Sequence, residues 1–118
     1  MAGGSDQSGA LGRAFEIAFA AHAGQIDKSG VPYIAHVVRV AAGVERVEDQ
    51  IVALLHDTVE DCDVLLSDIE AAFGSTIAAA VDAISKRPGE SLEHYLGRVS
   101  ENEIATRVKH ADLDDNSN

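Results

Sequence analysis

A chain of 118 residues in which 46% are apolar can bury one real core, which excludes wholesale disorder and predicts a single domain. Twenty acidic against nine basic residues leave a net charge of −11, which excludes a general nucleic-acid binder, because neutralising phosphates needs a basic face. The single cysteine, Cys62, excludes an intramolecular disulfide framework.

Residues 1–9 are Gly/Ser-rich and polar and predict a flexible tail, with the folded domain over 10–118. Nothing in the N-terminal stretch reads as a signal peptide, and no apolar run approaches the ~20 residues of a membrane span. Cytoplasm is therefore the expected location, with neither membrane nor nucleic acid as partner. Leu11, Ala14, Phe15, Ala18 and Phe19 recur with helical spacing and predict the inner face of a first helix, with His22 in a structural role on the same face. Gly24 to Pro32 reads as a loop. A second helix carries Ile34, Val37, Val38, Ala41 and Val44. A third starts near Asp49 and runs through Ile51, Val52, Leu54 and Leu55 into charged residues. Ser67 with Glu70 predicts a capping box for a fourth helix, closed by Gly74, and Ser75 predicts the cap of a fifth. Ser91 and Asn102 open a sixth and a seventh. No alternating strand pattern of useful length occurs. The expected class is all-α, a compact single-domain helical bundle with short connections and a core of Ala, Val, Ile and Leu.

The segment VALLHDTVEDCD (Val52 to Asp63) drives an apolar helix face directly into His56, Asp57, Glu60 and Asp61. Like charges three and four residues apart repel on a helix. Such a cluster is either a solvated helix end or a place for a cation. His36, near the start of the second helix, reads alone as a hydrogen-bonded structural residue or as a ligand. Ala105, Val108 and Asp112 stand at i, i+3 and i+7, so Asp112 projects from the apolar face, where a carboxylate must be paired, hydrogen-bonded or metal-bound. Asn116 lies one turn further on the same side. Asp114 and Asp115 are expected to point into solvent, and His94 and His110 to be surface residues without partners. Cys62, among carboxylates that oppose thiolate formation, is expected to be inert. Two imidazoles and two carboxylates form a mixed nitrogen and oxygen donor set suited to Mn, Fe, Zn or Mg. A bound cation would also reconcile a net charge of −11 with an anionic substrate.

The stretches HAGQIDKSGVPYIAHVVRVA (His22 to Ala41), ALLHDTVED (Ala53 to Asp61), Phe73-Gly74 and VKHADLDDN (Val108 to Asn116) resemble the HD-domain hydrolases of RelA/SpoT type, and within them the small alarmone hydrolases. That resemblance implies a metal-dependent phosphohydrolase that removes pyrophosphate from guanosine 3′,5′-bis(diphosphate), ppGpp, leaving GDP. It implies His36, His56, Asp57 and Asp112 as metal ligands, with Mn²⁺ as the expected ion. Glu60 and Asp61 match the family's acidic pair, which orients or deprotonates the attacking water and handles the leaving group. Asn116 matches a nucleotide contact, and Lys109 a phosphate or structural contact. The sequence departs from the family at the loop before Pro32. Ile26 stands near the place of an Arg that packs on guanine, and Lys28, offered as its substitute, lacks the planar guanidinium. Relatives also continue beyond the position of Asn116, so the domain is C-terminally short. An open pocket, a pocket completed by a second subunit in a homo-oligomer, and binding without turnover are the arrangements this allows. The alternatives to ppGpp hydrolysis are an HD hydrolase for another phosphorylated nucleotide and a non-catalytic regulatory domain that binds metal and nucleotide.

Overall fold

The structure, a computed structural model, describes residues 2–61 and 64–116, with side chains from Gly9 onward except that of Asp61. Among these residues the chain forms helices α1 (Ala2–Ala21), α2 (Tyr33–Ala42), α3 (Val47–Asp61), α4 (Leu66–Phe73), α5 (Ser75–Ile84), α6 (Leu92–Ser100) and α7 (Glu103–Asn116), and no strand. The all-α expectation holds. An isolated bridge between Ile26 and Pro32 closes the α1–α2 loop on itself.

Helix α3 is the axis of the fold. Every residue from Ile51 to Thr58 is buried: Ile51 to Leu55 are apolar on all sides of the helix, and His56, Asp57 and Thr58 carry the burial on into polar groups. It packs against α1, α2, α5 and α7. Leu55, Val52, Val37, Val40, Val81, Ile84, Ile69 and Val108 fill the centre. Each large aliphatic side chain contributes about 1.5–3 kcal/mol through burial.

Several local expectations change. Helical backbone already begins at Ala2, where a tail through residue 9 was expected; no proline interrupts that stretch. On α1, Ala14 and Ala18 are fully buried, but Phe15 and Phe19 are 43% and 57% exposed and stack on each other. The small alanines bring α1 close to its neighbours and leave the rings at the margin. Ser67 does not cap α4, because the helix starts one residue earlier, with Leu65 at the cap position and no side-chain bond there. Ser75 is the first residue of α5. Its cap is Gly74, whose φ of 94° is open to glycine without strain and lets α4 and α5 follow without a spacer. The Ser91 hydroxyl accepts from the His94 amide, and Asn102 Oδ1 from the Ala105 amide, as capping residues should.

Candidate metal centre

Three helices supply the polar interior. Helix α2 brings Tyr33, His36 and Arg39, α3 brings His56, Asp57 and Glu60, and α7 brings Lys109, Asp112, Asp115 and Asn116. These helices touch one another pairwise. His36, His56, Asp57 and Asp112 are all buried. His36 Nε2 lies 2.9 Å from Asp112 Oδ1, and His56 Nε2 lies 3.6 Å from the same oxygen and 3.2 Å from Asp57 Oδ2.

The two rings are anchored from behind. His56 Nδ1–H donates to the Ala53 carbonyl at 2.6 Å, and His36 Nδ1–H donates to Asp115 Oδ2 at 2.6 Å. Asp115 is itself gripped by Arg39, through Nε to Oδ1 at 2.8 Å and Nη2 to Oδ2 at 3.2 Å. Each imidazole therefore presents Nε2 to the centre with its tautomer fixed from outside, the arrangement that orients metal-ligating histidines. One donor atom each from His36, His56 and Asp112 lies within 4.8 Å of the others, a spread that fits ligand bonds of about 2.0–2.2 Å to a shared ion. The donor set and its anchoring thus fit a divalent metal. Asp57 stands beside this trio, with Tyr33 Oη donating to its Oδ2.

The electrostatics are those of opposed charges held together. Burial pushes the His56 imidazole down, but the neighbouring carboxylates of Asp112 and Asp57 carry it above its ordinary value. Burial pushes the Asp112 carboxyl up, yet His56, Lys109 and His36 hold it at about 2. Arg39, with His36, keeps Asp115 below the usual carboxylate range.

The family of this fold follows from a match that covers most of the chain. The sequence profile of the HD domain family fits residues 14–110. The chain belongs to the HD domain family. This HD domain is 46% identical over 81 residues to the guanosine-3′,5′-bis(diphosphate) 3′-pyrophosphohydrolase of Vibrio cholerae, a match spanning 65% of the chain and 12% of that protein. It is 40% identical over 85 residues to the bifunctional (p)ppGpp synthase/hydrolase SpoT of Escherichia coli K12, spanning 69% of the chain and again 12% of the relative. Among solved structures, a metazoan ortholog of SpoT described as hydrolysing ppGpp superposes with a TM-score of 0.78 at 28% identity, over 91% of the HD domain and 67% of its own chain.

Of the residues singled out in the sequence, His36, His56 and Asp112 come together, with Asp57 adjoining. Glu60 is exposed one turn beyond His56 on the same face of α3. Burial pushes the Tyr95 phenol above its ordinary value, and the Glu60 carboxylate adds to that rise. Lys109 Nζ lies 3.5 Å from Asp112 Oδ2 and 5.3 Å from the centre of the Tyr95 ring. Asn116 is exposed at the end of α7, and Lys28 is exposed in the α1–α2 loop. The side chain of Asp61 and residue Cys62 lie outside the described part of the structure.

Two expectations are corrected. Asp115 is not solvated: its side chain is 15% exposed and bound to His36 and Arg39. It stands three residues from Asp112, so the two carboxylates share a face that meets α2. His94 has a partner, since its Nδ1 lies 2.6 Å from Glu90 Oε2. Sequence reasoning also missed Tyr33 and Arg39. Their spacing from His36, three residues to either side, was the available signal.

Proposed function

We propose that this HD domain is a manganese-dependent hydrolase of ppGpp that releases pyrophosphate from the 3′ position and leaves GDP. The observation that carries the reading is the pair of buried imidazoles aimed at Asp112, each anchored through Nδ1, in a chain whose relatives bear that activity in their names. His36, His56 and Asp112 are the proposed metal ligands, with Asp57 completing the set. When bound, the ion supplies Lewis acidity, lowering the pKa of water and polarising a phosphoryl oxygen.

The residues of the chain do the rest. Glu60, on the same face as His56 and open to solvent, takes the proton of the attacking water, with Asp61 assisting the leaving group. Water adds to the phosphorus next to the ribose, the bond from that phosphorus to O3′ breaks, and the O3′ atom leaves with a proton. Lys109 balances the charge of Asp112 and reaches toward phosphate. Asn116 and Lys28, exposed at the rims, are the proposed nucleotide contacts. The cytoplasm, where such nucleotides are made and consumed, is the proposed location, and a homo-oligomer is the proposed assembly.

A second reading keeps the centre and changes the nucleotide. Ile26, 65% exposed in the α1–α2 loop, offers an aliphatic surface where planar stacking on guanine was expected. Product analysis separates the two, since a ribose phosphate would yield orthophosphate.

The deciding experiment is pyrophosphate release from ppGpp with and without Mn²⁺, beside His56→Ala and Glu60→Gln. Metal-dependent release, lost in both variants while Glu60→Gln still binds Mn²⁺, is the expected result. No release from metal-loaded protein would overturn the reading.

A further inference from the structure

A groove of about 430 Å³ opens beside the centre, between the end of α3 and the α5–α6 loop. Val59 and Glu60 line the α3 side, and Asp82, Ser85, Lys86, Arg87 and Pro88 line the other. The groove is tied to the centre by covalent and packed neighbours. Glu60 follows His56 by one turn on the same face of α3. Ser85 Oγ, bonded to the Val81 carbonyl, lies 3.5 Å from the carbonyl oxygen of His56.

Two cations of a chain of net charge −11, Lys86 and Arg87, stand on that side beside Asp82 and across from Glu60. Three guanidiniums elsewhere are spent on carboxylates of the fold, Arg39 on Asp115, Arg98 on Glu90 and Arg107 on Asp49. Lys86 is exposed and forms no ion pair with a described residue. Among the described residues the Arg87 guanidinium pairs with Asp82, at 3.1 Å, in a pair whose partners are 55% and 42% exposed. Such a surface pair holds weakly and exchanges readily for a phosphate.

The loop that carries these two cations is rigid by construction. Arg98 binds Glu90 through Nε and Nη2, both at 2.7 Å, and also donates to the Ser85 carbonyl at 2.9 Å and the Asp82 carbonyl at 3.0 Å. Glu90 Oε1 in turn accepts from the Arg87 amide at 3.1 Å. One part-buried ion pair thereby fixes the backbone on both sides of Lys86 and Arg87. Preorganised cations beside a hydrolytic centre lower the entropic penalty of holding an anion.

We propose that Lys86 and Arg87 form an anion subsite for the 3′-diphosphate of the substrate, the part that becomes pyrophosphate. The proposal rests on the hydrolase reading for its substrate, but its central measurement needs no turnover. Binding of inorganic pyrophosphate to the metal-loaded protein is measured by calorimetry for the wild type, Lys86→Gln, Arg87→Gln and Arg46→Gln. Arg46 lies in a separate groove with Asp49 and Arg107, so its variant loses the same single charge elsewhere. Lys86→Gln is expected to weaken pyrophosphate binding roughly tenfold and Arg87→Gln less, with Arg46→Gln unchanged and GDP binding unaffected in all. Equal pyrophosphate binding by wild type and Lys86→Gln would overturn the subsite, as would an equal loss in Arg46→Gln. Where the protein hydrolyses ppGpp, Lys86→Gln should also raise KM more than it lowers kcat. An absence of hydrolysis in the wild type counts against the hydrolase reading alone, because the pyrophosphate titration is read independently.

Discussion

Two buried polar groups on α3 solve the same electrostatic problem in opposite ways. Near its start, Asp49 is 1% exposed and its carboxylate is held by Arg107, through Nε at 2.6 Å and Nη2 at 3.1 Å. The charge is matched by one resident cation, and the arrangement is complete. Two turns later, His56 and Asp57 are equally deep but face Asp112 and His36, so that carboxylates and imidazoles crowd one another around a common point. Lys109, at 3.5 Å, is the fixed cation that approaches Asp112 there. A buried carboxylate kept for structure carries its own counter-ion. One set among imidazoles and further carboxylates is left with groups that titrate or could bind metal.

That contrast can be broken most directly by metal. Adding Mn²⁺ should raise the melting temperature of the wild type, by the equivalent of about 2.7 kcal/mol at a hundredfold excess over Kd, and a chelator should reverse it. Asp112→Asn should abolish the shift. A shift that survives in Asp112→Asn would make the α3–α7 contact merely structural. At the other end, Asp49→Ala should destabilise the fold by about 1–3 kcal/mol, the lower figures being favoured because Arg107 is 37% exposed and partly hydrated. Its Mn²⁺-induced shift should equal that of the wild type, measured by thermal unfolding with and without the ion.

A finer test concerns Asp115, which acts on the centre only through His36. Asp115→Ala should weaken Mn²⁺ binding about ten- to hundredfold in a chelator competition, with Asp115→Asn falling between it and the wild type. Unchanged affinity in both would remove Asp115 from the centre. The smallest effect belongs to Glu90, whose carboxyl is held far below its ordinary range by Arg98 despite its burial. A lowered folded-state pKa contributes stability that is present above the ordinary value of 4.5 and is lost as pH falls through the lower folded value. Urea midpoints of the wild type should therefore drop on acidification below pH 4.5 more steeply than those of Glu90→Gln. Parallel slopes would show that the clamp on the α5–α6 loop adds no net stability.

The helical class and the order of the helices were legible in the chain because apolar residues repeat with a period near 3.6 and because capping residues such as Ser91 and Asn102 punctuate them. The inward direction of Asp112 was legible for the same reason, from Ala105 and Val108 on its own helix. Periodicity reports which side of a helix is apolar; it does not report what stands opposite. Asp115 therefore read as a solvated acid, although its partner His36 lies 79 residues away, and Phe15 read as core although α1 rests on Ala14 and Ala18. Ser67 and Ser75 misled because capping patterns mark a helix start only to within a residue or two.

Sequence alone thus determined an all-α domain and the residue types of its centre, since both are written in local spacing and in motifs. The packing of α2, α3 and α7 decided which nitrogen of each histidine faces inward, that Tyr33 meets Asp57, and that Lys86 and Arg87 flank the same groove as Glu60. Those pairings depend on the rotation and approach of helices far apart in the chain, which are set by the fit of side chains in three dimensions.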